Sequence, residues 1–283
     1  MLWTALIAIS LGQEPSETGS STEVLLRSRT EAQINQEWAG SAVEFVVRQR
    51  LYRSSSVWTG RNGFELGGTA RLSSFAFRGG AVARLQPVAP LQLFVAMEGL
   101  APWGPLRTYA AADADVGVAG ETSEDRVRVS GWQMSTGAQL QFRYGPVGFM
   151  SRSTAYHAGL ATPLDTPSYY DPEVDLLVRG RGWWVTQEAQ IVALLGQGRL
   201  GATYHAAVAL HPDEVQRGDQ HRLGGIVAWT FPDPRDGALQ QPILFVQSEW
   251  YVKHPARTGL YRAQALPMIR LGFAFSHRLW ASG

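Results

Sequence analysis

From Ile269 onward, every second residue near the C-terminal end of the chain reads Ile269, Leu271, Phe273, Phe275, His277 and Leu279. The interleaved set is Arg270, Gly272, Ala274, Ser276 and Arg278. A strand sends successive side chains to opposite faces, so this stretch predicts a strand with one aliphatic and aromatic face and one small or cationic face. Soluble antiparallel sheets alternate in the same way. Two Phe on the apolar face and a Leu279-Trp280 ending instead suit a strand with lipid on one side, a polar lumen on the other and an aromatic at the interface.

The same alternation runs through the chain. Between Glu23 and Asn35, Arg27, Arg29, Glu31, Gln33 and Asn35 oppose Leu26, Ser28, Thr30, Ala32 and Ile34. Between Ala42 and Tyr52, Glu44, Arg48 and Arg50 oppose Val43, Phe45 and Val47. It persists from Phe64 to Pro87, where Arg78-Gly79-Gly80 reads either as a turn or as a kinked strand. A hairpin is predicted over Ala81–Gly99, turning at Pro87-Val88-Ala89-Pro90 because proline cannot donate to a ladder. Arg84, Gln86, Gln92 and Glu98 share the polar face there; Leu91, Leu93, Val95 and Met97 form the other. Ala138–Tyr144 turns at Gly145-Pro146 and returns through Val147 and Phe149. Trp183–Leu195 turns at Gly196–Arg199 and returns as Leu200–His211. Arg222–Phe231 and Ile243–His254 pair around Pro232–Gln241, and the closing strand follows.

These short turns alternate with longer segments: Leu100–Trp132 (predicted to hold two further strands), Gly159–Gly182, Pro212–His221 and Pro255–Pro267. Short turns on one side and long loops on the other are the arrangement of membrane barrels. No helical period is sustained. The pattern predicts an all-β chain forming a closed antiparallel transmembrane β-barrel of about 12 strands, roughly 10 to 14. One barrel domain is expected over residues 23–283. Residues 1–13 read as a signal peptide, with an apolar run and small residues at Ala8 and Ser10, though no Lys or Arg precedes the run. Residues 14–22, rich in Ser, Thr, Gly and Glu, read as a linker.

Composition narrows the picture further. Hydrophobic residues make up 45% of the 283-residue chain, and no stretch approaches the roughly 20 apolar residues a spanning helix needs. A barrel escapes that criterion because only alternate residues face lipid. The absence of cysteine removes disulfides, thiolate zinc sites and cysteine nucleophiles together. A net charge of +1, with no Lys/Arg run of the kind that tracks phosphates, gives no support to a nucleic-acid partner. Trp103, Trp132, Trp183, Trp184, Trp280 and Tyr144 fall at predicted strand ends, where an interfacial girdle places amphipathic rings.

Few residues suggest catalysis. Ser276 and His277 are adjacent, but neighbours on a strand point to opposite faces and cannot act as nucleophile and base. His205 and His211 share a face yet lie roughly 20 Å apart along a strand, too far to hold one metal. Asp113 and Asp115, sharing a face with Tyr109, read as solvated lumen residues before they read as a cation site. Tyr169, Tyr170, Asp171, Glu173 and Asp175 read as an exposed loop before a calcium or sugar site. No phosphate-binding loop is present, and neither an enzyme nor a cofactor is expected.

The distributed feature is the predicted lumen face. Arg27, Arg29, Glu31, Glu44, Arg48, Arg50, Arg84, Glu98, Arg143, Glu188, Glu249 and Arg270 are the expected pore-lining residues. Arg152 and Arg278 share their parity. Rings of inward charge select solutes, and the same residues can instead pair into a network that fills the barrel. Arg27 and Arg29 on one strand with Arg48 and Arg50 on the next predict a cationic patch and a modest anion preference.

The run Ala81–Gly104, an Arg-containing strand followed by a hairpin and a Trp103-Gly104 exit, resembles the Gram-negative outer-membrane barrels of the alginate-export and porin-like group. The early strand around Arg27-Ser28-Arg29 is similar to theirs. The resemblance implies a bacterial outer-membrane location, membrane lipid as the surroundings, and passive passage of small hydrophilic, anionic solutes through an arginine-lined lumen. Two alternatives stand beside this channel: a non-conducting barrel whose outer loops bind a ligand or partner, and an outer-membrane lipid hydrolase.

Overall fold

The structure is a computed structural model that describes residues 22–34, 38–52, 56, 58–59, 62–74, 76–102, 109–110, 126–127, 130–161, 168–171, 176–210, 219–232, 239–254 and 267–282. The expected signal peptide, nearly all of the linker, and Trp103, Asp113, Asp115, Glu173, Asp175 and His211 lie outside them. Sixteen strands follow in order: β1 (Thr22–Ile34), β2 (Trp38–Gln49), β3 (Gly63–Ser73), β4 (Ala76–Val88), β5 (Leu91–Pro102), β6 (Tyr109–Ala110), β7 (Arg126–Val127), β8 (Ser130–Tyr144), β9 (Val147–Ala161), β10 (Ser168–Asp171), β11 (Leu176–Arg179), β12 (Arg181–Leu195), β13 (Gly198–Ala209), β14 (Asp219–Thr230), β15 (Leu239–Lys253) and β16 (Met268–Ala281).

Twelve of them close a single antiparallel barrel in the order β1-β16-β15-β14-β13-β12-β9-β8-β5-β4-β3-β2. The seam joins the first strand to the last, with Arg29 opposite Ala274 and Gln33 opposite Arg270. Closure leaves no open edge, so every barrel strand has a ladder on both sides, as a lipid environment demands. The two remaining pairs, β6–β7 and β10–β11, are small separate sheets. β6–β7 supplies the two strands expected between Leu100 and Trp132; β10–β11 had no counterpart in the alternation pattern.

The ambiguity at Arg78-Gly79-Gly80 resolves as strand. The chain reverses earlier, between Ser73 and Ala76, where the Ser73 hydroxyl accepts from the Ala76 amide at 3.1 Å. Gly80 stays in β4 because the backbone of β5 presses against it: a Cβ there would fall 1.9 Å from the Met97 carbonyl oxygen. Two hairpins turn on glycine with positive φ, Gly145 at 56° and Gly196 at 63°, which matches the twist of paired strands.

Both ends of the described chain and the tight turns at 89–90, 145–146 and 196–197 share one rim, here the terminal end. The ends of β5, β9, β13 and β15 and the starts of β8, β12, β14 and β16 share the other, the loop end. The asymmetry is imperfect. The connections at 35–37 and 74–75 on the loop end are short, whereas 50–62 on the terminal end is long. That long turn is organised by Asn62, whose side chain accepts from the Leu51 and Tyr52 amides at 2.9 and 2.8 Å and donates to the Thr59 carbonyl at 2.6 Å.

Period-2 alternation sorts the side chains as expected. Leu93, Val95, Leu140, Phe142, Val208 and Phe273 all face outward with 37–50% exposure, and the inward positions are buried. Large apolar side chains on the outside, with charged ones inside, invert a soluble protein and match a bilayer-spanning barrel. Trp132 and Trp183 sit outward near the loop end and bracket His157, with ring centroids 5.4 and 4.5 Å away. Trp229, Trp280 and Tyr144 sit outward near the terminal end. Trp184 departs from the expected girdle. As the neighbour of Trp183 it must point to the other face, and it is fully buried in the lumen, stacked on Tyr156 at 5.3 Å.

Candidate functional site

The lumen is lined by residues that alternation turns inward, and cross-strand register decides which of them meet. On β1–β4, register sets Arg27 opposite Glu44 and Glu65 opposite Arg84. Arg27 donates to both oxygens of Glu65, at 2.8 and 2.6 Å. Arg84 donates to both oxygens of Glu44, at 2.6 and 2.7 Å, and to Glu65 at 3.3 Å. The result is a neutral cluster of two arginines and two glutamates with bidentate geometry, the strongest form of such pairing.

Beside it, Glu31 takes Arg29 as ion-pair partner, with Arg270 at 4.0 Å. Arg270 also donates to the Gln33 carbonyl oxygen at 3.2 Å across the seam. The Arg29 guanidinium lies 4.9 Å from the centre of the Phe245 ring. Phe245 in turn covers Gly272, the residue facing it on β16, where a Cβ would fall 2.3 Å from the ring. The small residue in the closing strand therefore makes room for an aromatic one, which carries an arginine.

A third cluster lies on β12–β15. Glu249 accepts from Thr203 at 3.1 Å and from Gln247 at 2.6 Å, and pairs with Arg222 at 3.6 Å. Arg222 also donates to His205 at 3.2 Å, and His205 lies 4.0 Å from Glu188. Elsewhere Glu98 pairs with Arg71 at 3.2 Å, and the Arg152 guanidinium sits 4.2 Å over the Phe94 ring.

Of the twelve expected lining residues, Arg27, Arg29, Glu31, Glu44, Arg48, Arg84, Glu98, Glu188, Glu249 and Arg270 fall on inward positions of barrel strands. Arg50 lies one residue beyond β2. Arg143 has the inward parity but sits at the terminal rim, exposed, donating to the Gly145 carbonyl at 2.7 Å. Arg278 is likewise at that rim, 4.0 Å from Glu23. The expected cationic patch does not assemble: register places Glu44 opposite Arg27, and Arg48 between Glu23 and Glu65. Strand alternation assigns a face, but only register assigns a neighbour. Glu65, Arg71, Arg78 and Arg222 complete the networks and were not among the expected set, although the outward Phe64, Leu66, Leu72, Phe77 and Leu223 beside them carried the parity that finds them.

Part of the loop end is filled from within. The β10–β11 hairpin, expected to be an exposed loop, folds into the lumen. Leu176 and Val178 are buried against Ala76, Leu100, Tyr156, Leu160, Trp184 and Ala207, which come from β4, β5, β9, β12 and β13. Asp171 is fully buried and pairs with Arg78 at 3.6 Å. Arg78 in turn donates to Gln133 at 2.9 Å. One hairpin thus ties together opposite walls with an apolar contact and an ion pair. Ser276 and His277 face opposite sides of β16, Ser276 buried and His277 partly exposed.

No family model and no curated protein matches the sequence. Among solved structures, the chain is similar to the COG4313 outer membrane channel from Pseudomonas putida F1 at 9% identity and TM-score 0.46, over 95% of this chain and 98% of that one. It is similar to the translocator domain of autotransporter NalP from Neisseria meningitidis at 8% identity and TM-score 0.45, over 98% and 95%. It is also similar to the KdgM porin at 10% identity and TM-score 0.41, over 90% and 98%.

Proposed function

We propose that this chain is a bacterial outer-membrane, porin-like channel for the passive passage of small hydrophilic solutes, with the β10–β11 hairpin narrowing its loop end. The observation that carries the reading is the ionic lining: charged side chains line the lumen from Arg48 near the terminal end, through Arg27 at mid-strand, to Arg78 near the loop end. Taking such pairs out of water costs more than their attraction returns unless the geometry is excellent, and packed apolar residues stabilise as well or better. A barrel selected only for stability has no need of them. In a conducting state the same groups give a solute polar contacts along its path.

Twelve strands lie between the eight that side chains fill and the sixteen of wide aqueous pores, so the hairpin and the ionic clusters set the bore. Inward arginines slightly outnumber inward carboxylates, which favours anions only weakly because most are paired. The terminal end faces the periplasm and the loop end the exterior, following the usual disposition of turns and loops. A second reading is a non-conducting barrel, favoured by the burial of Arg78, Arg222 and Glu249 at 1–2% exposure.

Conductance of the refolded chain in planar bilayers separates the two. The channel reading expects small, discrete openings whose frequency rises when Leu176→Asn and Val178→Asn weaken the hairpin's apolar contact. Silence from both the native chain and the variant, with folding verified by heat-modifiable mobility, leaves the non-conducting barrel as the account.

A further inference from the structure

Two parts of the lumen wall treat their acceptor oxygens differently. On β2 and β3, Glu44 and Glu65 accept two and three hydrogen bonds from arginines. Further round the wall, on β8 and β12, three inward side chains hold oxygens that no donor among the described residues reaches: Gln139 Oε1, Glu188 Oε2 and Gln190 Oε1. These side chains are buried, with residue exposures of 1%, 5% and 4%. The orientation of Gln139 is set by a chain of donors. The Ala89 carbonyl can only accept, and it takes the Gln141 amide at 3.4 Å. The Gln141 oxygen then accepts from the Gln139 amide at 3.2 Å, which leaves the Gln139 oxygen as the unmatched end. Glu188 has His205 at 4.0 Å from its other oxygen, beyond hydrogen-bond reach.

Register draws these groups into one frame. Gln139 faces Arg152 on β9, and Arg152 faces Glu188 on β12. One inward step along the same strands, Gln141 faces Met150, and Met150 faces Gln190. Two strand spacings by two residues make a frame of about 10 Å by 7 Å, polar along both sides, with Arg152 and Met150 on its midline. A buried acceptor without a donor is costly and rare. Three in one patch call for a ligand that brings hydrogens.

We propose that this frame on β8, β9 and β12 binds an uncharged polyhydroxylated solute, a polyol or simple sugar, on its way through the lumen. The inference rests on the channel reading and names the class of solute. Hydroxyls bring the hydrogens that the three oxygens lack, and their own oxygens take donors from the glutamine amides. An anion would bring further acceptors to a surface already short of donors. A cation would lie beside Arg152, which faces Glu188 and offsets its charge. Glutamine and glutamate side chains swing about their own torsions, so the frame opens to a solute without movement of the wall. A site built to hydrogen-bond hydroxyls rejects analogues that cannot match it, because its buried groups are then left unpaired.

Calorimetric titration of the refolded chain in mild detergent tests this with glucose, glucosamine and gluconate, which are similar in size and respectively neutral, cationic and anionic. The proposal expects glucose to bind at least fivefold tighter than either charged analogue. Gln139→Leu with Gln190→Leu, its folding verified by heat-modifiable mobility, is expected to weaken glucose binding roughly three- to tenfold, the effect of about one lost hydrogen bond. The ranking of the three solutes is measured on the native chain, so it decides the matter even where the double variant does not fold. No measurable glucose binding, preference for a charged analogue, or unchanged affinity in the folded variant overturns the proposal and leaves these oxygens to water alone. Planar-bilayer conductance of the same preparation separates the two failures. Openings without glucose binding defeat only the site, glucose binding to a silent barrel defeats only the channel, and silence without binding defeats both.

Discussion

Glu65→Gln is the most informative single change in the lumen. Glu65 accepts two hydrogen bonds from Arg27, at 2.8 and 2.6 Å, and a third from Arg84 at 3.3 Å. Its own exposure is 6%, and the neighbouring Glu44 and Arg84 are 3% and 6% exposed. The substitution keeps the shape and removes one negative charge, leaving two arginines to share Glu44. Breaking one side of a desolvated pair costs about 3–5 kcal/mol, because the surviving charge stays buried without compensation. The same loss in a water-filled, screened setting costs about 0–1 kcal/mol. Arg27 is the least buried member, its side chain 16% exposed, which places the expectation near the lower end, at about 3 kcal/mol. The assay is reversible denaturant unfolding in lipid vesicles, read as a shift in midpoint at constant slope. The double change Arg27→Gln with Glu65→Gln is expected to recover more than half of the loss, since it removes one charge of each sign. A cost below about 1 kcal/mol for Glu65→Gln, with no recovery in the double variant, refutes the desolvated cluster and means the lumen is hydrated at this level.

Three further outcomes follow from the same geometry. Val95→Arg or Phe142→Arg, on the outward face, is expected to cost about 2–4 kcal/mol in lipid, against far less for Gln141→Arg on the inward face; equal costs in the same unfolding assay contradict the assignment of faces. Trp184→Ala, which empties a fully buried site stacked on Tyr156, is expected to cost about 3–5 kcal/mol, whereas Trp183→Ala, at the rim and 36% exposed, costs under half as much. At the loop-end tip of β14, the hydrogen bond from Lys253 to Asp219 at 2.5 Å holds that carboxyl below its ordinary range. Its contribution is present above the ordinary carboxyl pKa and is lost as pH falls through the lowered one; Lys253→Met is expected to raise the Asp219 pKa part of the way back toward the ordinary carboxyl range, with His221 still 3.7 Å away, measured by carboxyl NMR titration.

Alternation alone was enough to read the all-β class, the closed barrel and the approximate strand count, because a strand's period of two assigns each side chain a face without reference to any other strand. Leu93, Phe142 and Phe273 were legible as outward residues for that reason, and Arg84 and Glu249 as inward ones. The reading weakened where period and position conflict. Trp183 and Trp184 cannot both join a girdle on one face, and Arg143 has an inward parity but sits too close to its turn to reach the lumen.

Local alternation settles the two-sidedness of the wall: which residues meet lipid and which meet the interior, residue by residue. Tertiary structure decided the rest, because pairing depends on register and closure, which join residues far apart in the chain. Arg270 meets Gln33 and Glu31 only because β16 closes against β1, and Arg27 is neutralised by Glu65 on β3, two strands away around the wall. The β10–β11 hairpin was invisible for a related reason. Its four-residue strands are too short to show a period, and Leu176, Val178 and Asp171 find their partners on β4, β5, β9, β12 and β13, walls that exist as one surface only after the barrel has closed.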